Sequence, residues 1–303
     1  MRHSSSRSLA TIILTLTCFA LGAGALSAVQ AADCGGGVGP CHCGDRVVTN
    51  ARLGGSDPVL RTVCPCDGLI VASGVTLEIR GTLTGESDLC SGIVVEGGAT
   101  GVTVKNGKIT GFGIGVNGDA PEGLVSGNRF IDLQIRGGFA GLLIAGDANL
   151  IESSVIRDAF VAGILLNGDG NTVRLNRAEG AAVFGISAVG DANVLSRNVA
   201  QRNSGDGIAF AGSNVTADGN RSAYNGGAGF VVVGTGVTLS RNVATGNALQ
   251  GFDVSADASA LDHNRSDYNL LVGIDDTGSG NAYVDNRCTG NVEGPSDPPG
   301  LCR

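Results

Sequence analysis

The amino-acid sequence predicts an all-β solenoid: one chain wound into about ten coils of ~22 residues, whose short strands pair in parallel with the same strands of the next coil. Three observations carry this expectation. A glycine followed by an apolar residue returns at Gly141, Gly163, Gly185, Gly207, Gly229, Gly251 and Gly273, an interval of 22 each time. A unit repeated so strictly cannot bury its own apolar face and has to stack on its neighbours. Inward residues alternate along each strand, and the step widens from two to three where the chain bends. From Gly185 they read Ile186, Ala188, Asn193, Leu195, Asn198, Ala200 and Asn203; one coil later they read Ile208, Phe210, Val215, Ala217, Asn220, Ser222 and Asn225. Apolar residues therefore stack on apolar ones, and asparagine on asparagine.

Two asparagine columns follow from this register. The first is Asn176, Asn198, Asn220, Asn242, Asn264 and Asn286, and the second is Asn203, Asn225, Asn247, Asn269 and Asn291. Asparagine suits a bend because it tolerates left-handed backbone angles and because its amide reaches the equivalent amide one coil away, at ~4.8 Å. These columns are expected to be structural ladders.

Taken in order, residues 1–31 have the form of an export signal: Arg2 and Arg7, an apolar run from Leu9 to Gly22, and a small-residue cleavage site at Val29-Gln30-Ala31. The run is too short and too broken by threonine to span a membrane, and no later stretch is long and apolar enough. Residues 32–65, rich in cysteine and glycine, are expected to be an irregular N-terminal cap. The coils are placed at 66–294, with the period broken between Gly113 and Phe139, where Ala120-Pro121-Glu122-Gly123 reads as a loop. Residues 295–303 are expected to be a capping tail, since three prolines there cannot join a ladder.

Without Cys18 of the signal, eight cysteines remain, crowded at the two ends. Exposed coil ends need stapling, and an exported chain permits disulfides. Cys66 and Cys90 hold equivalent sites on adjacent coils, Cys43 and Cys64 align at an offset of about one coil, and Cys34 and Cys41 are left over. Cys288, inward on the last coil, is expected to bond Cys302 and fold Leu301 over the open end. Eight cysteines still allow 105 pairings. The rival is a metal site of Cys41, His42, Cys43, Cys64 and Cys66, against which stands the C-x-C spacing.

The stretches "NVLSRNVAQRNSGDGI" and "VTVKNGKITGFGIGV" resemble the right-handed parallel β-helix repeat proteins, the pectate-lyase-like superfamily with repeats of the form N-x-(I/V)-x-x-N-x-x-x-G-I. The resemblance spans roughly residues 66–294 and implies that fold. A leucine-rich repeat would need L-x-x-L-x-L, and a left-handed hexapeptide coil a period near 18. The superfamily's hydrolases carry N-T-D, D-D, G-H-G and R-I-K stations. Of these only Asp275-Asp276 is present. The lyases' R-x-P-x-x-R and the alginate epimerases' D-P-H-D are missing, and Asp262-His263 is the sole neighbouring acid–imidazole pair. The resemblance also extends to NosD-type copper accessory proteins, a role the residues here do not mark.

Composition narrows the partners. The formal charge is −8, and −10 without Arg2 and Arg7, which argues against nucleic acid and anionic membranes as partners. The same charge disfavours a polyuronate, unless a local basic strip is present. Residues 185–228 and 229–272 read as a tandem duplication of two coils, so Arg177, Arg221 and Arg265 recur every second coil, as do Tyr224 and Tyr268. Two coils rise about 10 Å, near the disaccharide repeat of an extended glycan. A tyrosine stacks on a sugar face and an arginine forks a carboxylate. Asp147, Asp169 and Asp191 stack in G-D-(A/G)-N turns, either as turns bonding their own backbone or as a place for calcium. The sequence thus predicts an exported, extracellular or periplasmic scaffold that binds carbohydrate or another wall component, with a polysaccharide lyase, hydrolase or epimerase as the alternative.

Overall fold

The repeating glycine marks the place where the coils come closest. A Cβ at Gly141, Gly163, Gly185, Gly207, Gly229 or Gly251 would lie 2.6–2.9 Å from the carbonyl oxygen of the next glycine in the series. Any side chain there would push two coils apart. The computed structural model describes residues 31–120 and 123–303; residues 1–30 of the expected signal, Cys18 included, and Pro121-Glu122 lie outside the described residues.

Each coil turns through three flat faces. Face A holds strands such as Phe184–Val189 and Phe230–Thr235, face B strands such as Val194–Ser196 and Thr238–Ser240, and face C strands such as Val199–Gln201 and Val243–Thr245. Every face B strand pairs in parallel with the next, and eleven of them line up. Faces A and C form one sheet because Thr82–Val95 and Lys108–Ala120 run unbroken around the corner between them. The register steps by 22 residues from Leu142 to Ile164, Ile186, Ile208, Phe230, Phe252 and Ile274. Phe230 and Phe252 stack at 4.8 Å between centroids, the spacing of neighbouring strands.

All of the inward residues named above for the coils at Gly185 and Gly207 are buried. The asparagine ladders bond as a closed set. In the first, Asn220 accepts at Oδ1 from the backbone N–H of Asn198 (2.9 Å) and from its Nδ2 (3.0 Å), and donates through its own Nδ2 to Leu195 O and Asn242 Oδ1. One conformational detail differs from the expectation. The left-handed residue at each bend is the one before the asparagine: Arg197 (φ 55°) before Asn198, and Arg202 (φ 52°) before Asn203. The bend turns the chain at that residue and leaves the asparagine free to point inward. A third ladder runs at the A–B corner through Asn128, Asn149, Asn171 and Asn193, gives way to Val215 and Val237, and returns as Ser259 and Asn281.

The N-terminal segment is more regular than expected. Asp45–Val47 pairs in parallel with Leu69–Val71, and Ala51–Leu53 with Leu77–Ile79, so the winding begins before Cys66. The offset there is 24 residues in the first pairing and 26 in the second, without the Gly-Ile marker, which hid the coil in the sequence. The long coil also differs in detail. Leu142 lies opposite Val116, an offset of 26 against 22, which makes Gly115 and not Gly113 the equivalent glycine. The surplus turns back on itself as an antiparallel pairing of Gly123-Leu124 with Asp119-Ala120.

Disulfides join Cys34 to Cys41, Cys43 to Cys64, Cys66 to Cys90 and Cys288 to Cys302. They engage every sulfur of the rival metal set. At the far end Arg303 N–H donates to Asn286 O (3.0 Å) and Cys288 N–H to Arg303 O (2.9 Å), so the tail adds a last strand-like bridge to face C. Ser296-Asp297 does the same for face A, and Leu301 packs half-buried on the core. No helix among the described residues is long and apolar enough to cross a membrane.

Candidate functional site

With the inside committed to stacking, chemistry has only the outer positions. On face C the first residue of each strand points out, and the series runs Arg177, Val199, Arg221, Val243, Arg265, Arg287. The three arginines singled out by the repeat therefore alternate with valine on one line. They are not equivalent. Arg177 pairs with Glu179 at 3.1 Å and Arg265 with the buried Asp267, whereas Arg221 has Ala223 in that place and makes no ion pair among the described residues.

Tyr224 and Tyr268 occupy the bend that follows face C, both left-handed, at φ 57° and 54°. The same bend in the intervening coils holds Gly246 and Gly290. A Cβ on Gly246 would lie 2.8 Å from the Tyr224 ring, and one on Gly290 2.6 Å from the Tyr268 ring. Each ring thus leans over the glycine of the next coil, and two tyrosines in succession would collide. The two-coil period of the tyrosines has this steric cause. They remain 56% and 63% exposed.

Asp147, Asp169 and Asp191 do stack, at exposed positions of the A–B corner. Asp147 Oδ1 accepts the backbone N–H of Asp169 (2.8 Å), Asp169 Oδ1 that of Asp191 (2.7 Å), and Asp191 Oδ1 that of Ser213 (2.7 Å). Each carboxylate bonds the turn of the following coil, and not its own turn. Their oxygens do not gather as a trio within ligand distance; among the described residues that closeness is met by Cys66, Asp67 and Cys90, whose sulfurs are already bonded together.

A group of acids that the repeat pattern did not reveal lies on the outside of face A. Asp253 stands opposite Asp275 on the adjacent strand, Gln250 Nε2 donates to Asp275 (3.1 Å), and Asp206 accepts the N–H of Ala228 (2.8 Å). Burial, then the charges of Asp275 and Asp206, push the Asp253 carboxyl up to about 6. Burial also raises Asp206, against the pull of the Ala228 N–H. Of the Asp275-Asp276 pair only the first belongs here, because Asp276 turns to accept from Gly278 N–H and Asn281 Nδ2. His263 bonds Asp262 through Nδ1 (2.6 Å) on an exposed corner, remote in register from these acids.

A three-faced parallel solenoid with a charged, aromatic-edged outer wall is the class these features define. The family described as the right-handed β-helix region matches residues 126–291, more than half of the chain, and the chain belongs to that family. Solved structures with a similar winding include the pectate lyase Pel9A (18% identity, 81% of this chain and 78% of that one, TM-score 0.51). They also include a double mutant of the periplasmic alginate epimerase AlgG (14%, 79% and 70%, TM-score 0.55). A third is the A-module of the mannuronan C-5 epimerase AlgE6 of Azotobacter vinelandii (15%, 82% and 85%, TM-score 0.45). At such identities the likeness is one of fold. No curated protein matches the chain by sequence.

Proposed function

We propose that this chain is an exported β-helix that binds an extended glycan along face C, laid parallel to the solenoid axis, without altering it. The observation that carries the reading is the pair Tyr224 and Tyr268: two open aromatic rings on one line, two coils or about 10 Å apart, each with an arginine three residues before it. Four disulfides suit an oxidising compartment, and the N-terminal export pattern agrees. Solved relatives in fold are named for activity on pectate and alginate, which makes a polysaccharide a natural partner for the same scaffold.

A second reading has its own support. Asp253, held near pH 6 beside Asp275, is a carboxyl poised to carry a proton, and paired carboxyls are the usual means of acid–base work on sugars. That would make the chain a carbohydrate-active enzyme working on face A. Incubating the purified chain with a glycan panel separates the two. Retention without new reducing or unsaturated ends, abolished by Tyr224→Gly with Tyr268→Gly, supports binding. Product formation that Asp253→Asn abolishes overturns it in favour of the enzyme. Glycine is the apt replacement because the same bend already accepts Gly180, Gly246 and Gly290 in the left-handed region.

A further inference from the structure

We infer that the outer surface of face C from Lys108 to Arg221 is a binding strip for a linear polyanionic glycan, an inference that rests on the glycan-binding reading above and adds the charge of the ligand. Six successive coils each place one cation on this surface or its edge: Lys108, Arg136, Arg157, Arg177, Arg202 and Arg221. Adjacent coils lie ~4.8 Å apart, so positive charge recurs at about the rise of one sugar residue, over roughly 24 Å. The carboxylates of face C and of the bend that follows it are Asp158 and Glu179; the bend that precedes it adds one charge of each sign, Asp132 and Arg197. Asp158 takes Arg136 at 3.0 Å, while Glu179 is shared by Arg157, Arg177 and Arg202 at 3.9, 3.1 and 2.9 Å. Although burial pushes the Glu179 carboxyl up, hydrogen bonds from Gln201, Arg202 and Arg177 outweigh it and hold the group below its usual range.

Six cations against two carboxylates leave four positive charges uncompensated, in a chain whose formal charge is −8. Lys108 and Arg221, at the two ends, make no ion pair among the described residues. The excess therefore belongs to this face, and the acidic remainder of the molecule lies elsewhere. At physiological salt charges are screened beyond about 8 Å, so a polymer lying on face C responds to the strip and not to the net charge. Guanidinium forks match carboxylate and sulfate alike. A single-stranded nucleic acid would also find cations here. It would find open rings at this edge only at Phe139, Phe160 and Tyr224, with the coils between Phe160 and Tyr224 bare, and so no continuous run of platforms for successive bases.

The test compares binding of the mature chain to polygalacturonate, dextran sulfate, unsubstituted dextran and single-stranded DNA, at low and high salt. Binding to either polyanion that weakens at least tenfold with salt supports the strip; the preferred one says whether carboxylate or sulfate is recognised. Lys108→Glu with Arg221→Glu, which breaks no ion pair, is expected to lower that affinity at least tenfold with an unchanged Tm. Arg221→Lys is expected to retain it, as is Arg129→Glu on face B. Salt-independent binding of unsubstituted dextran, equal to that of the polyanions, overturns the charge inference and leaves the glycan reading standing. Failure to bind any glycan overturns both. Tighter binding to DNA, or an equal loss in Arg129→Glu, overturns the assignment of partner or of face.

Discussion

Faces A and C are built by the same coils around the same inner columns, and their outer surfaces share almost nothing. Outward positions on face C carry long charged side chains, with arginine alternating with valine along one line. The corresponding line on face A reads Leu143, Leu165, Ser187, Ala209, Val231 and then turns acidic at Asp253 and Asp275. Ser187 and Ala209 there are wholly covered although they point outward. The lesson is one of constraint. A stacked interior ties every coil to the next, whereas each outer wall is free to take its own chemistry, so function is to be sought in what the walls do not share.

That division can be broken from the inside first. Asn220→Leu keeps the shape of the column and removes the four hydrogen bonds of the side chain, leaving Asn198 N–H buried without its partner and Asn198 Nδ2 with Val173 O alone. An unpaired buried group costs about 1–3 kcal/mol and each further hydrogen bond lost about 1 kcal/mol, so the loss is expected to reach about 3–5 kcal/mol, read as a large fall in Tm by calorimetry. A fall below 1 kcal/mol would mean that the interior tolerates change as the walls do. Next in size is the end of the solenoid. Converting Cys288 and Cys302 to serine opens a 14-residue loop and is expected to cost about 3 kcal/mol on the chain-entropy model, with accelerated proteolysis of the tail.

On face A the expected effect has the opposite sign. Asp253 moves from its ordinary 3.8 to about 6 on folding, so between these values the folded chain holds the proton more firmly than the unfolded one. Stability must then decline as pH rises from about 4 to about 6, and the deficit is complete above that. Asp253→Asn is expected to raise stability by about 1–2 kcal/mol at pH 7.5, after allowance for partial exposure, and by nothing at pH 4. Urea midpoints of both proteins across pH 4–8 measure this, and parallel curves would remove the claim that these carboxyls crowd one another.

Face C should respond least in stability and most in binding. Tyr224→Gly replaces a non-glycine residue at φ 57° and sheds the exposed ring, so its stability should change by under about 1 kcal/mol, in either direction. A much larger loss in thermal melts would show the tyrosines to be packing elements of the coil and would weaken their assignment to a ligand.

The sequence by itself determined the winding, the inward columns and the stapling of the two ends by disulfides. Stacking demands that position i and its equivalent one coil on be alike, and likeness at a fixed interval is visible without coordinates. Asn198 over Asn220 and Gly185 beneath Gly207 were legible for that reason, as was the equivalence of Cys66 and Cys90. The third asparagine ladder was harder to see, because Val215 and Val237 interrupt it. What only the tertiary structure decided lies on the outside. Lys108, Arg136, Arg157, Arg177, Arg202 and Arg221 come from three different positions within their coils, so they share no period along the chain. Beyond the two-coil recurrence of Arg177 and Arg221, they fall on one surface only after the chain has wound, since an outward side chain need not match its neighbours on the next coil. Asp206, Asp253 and Asp275 are joined in the same way, by a fold that brings separate coils within reach of one another's charge.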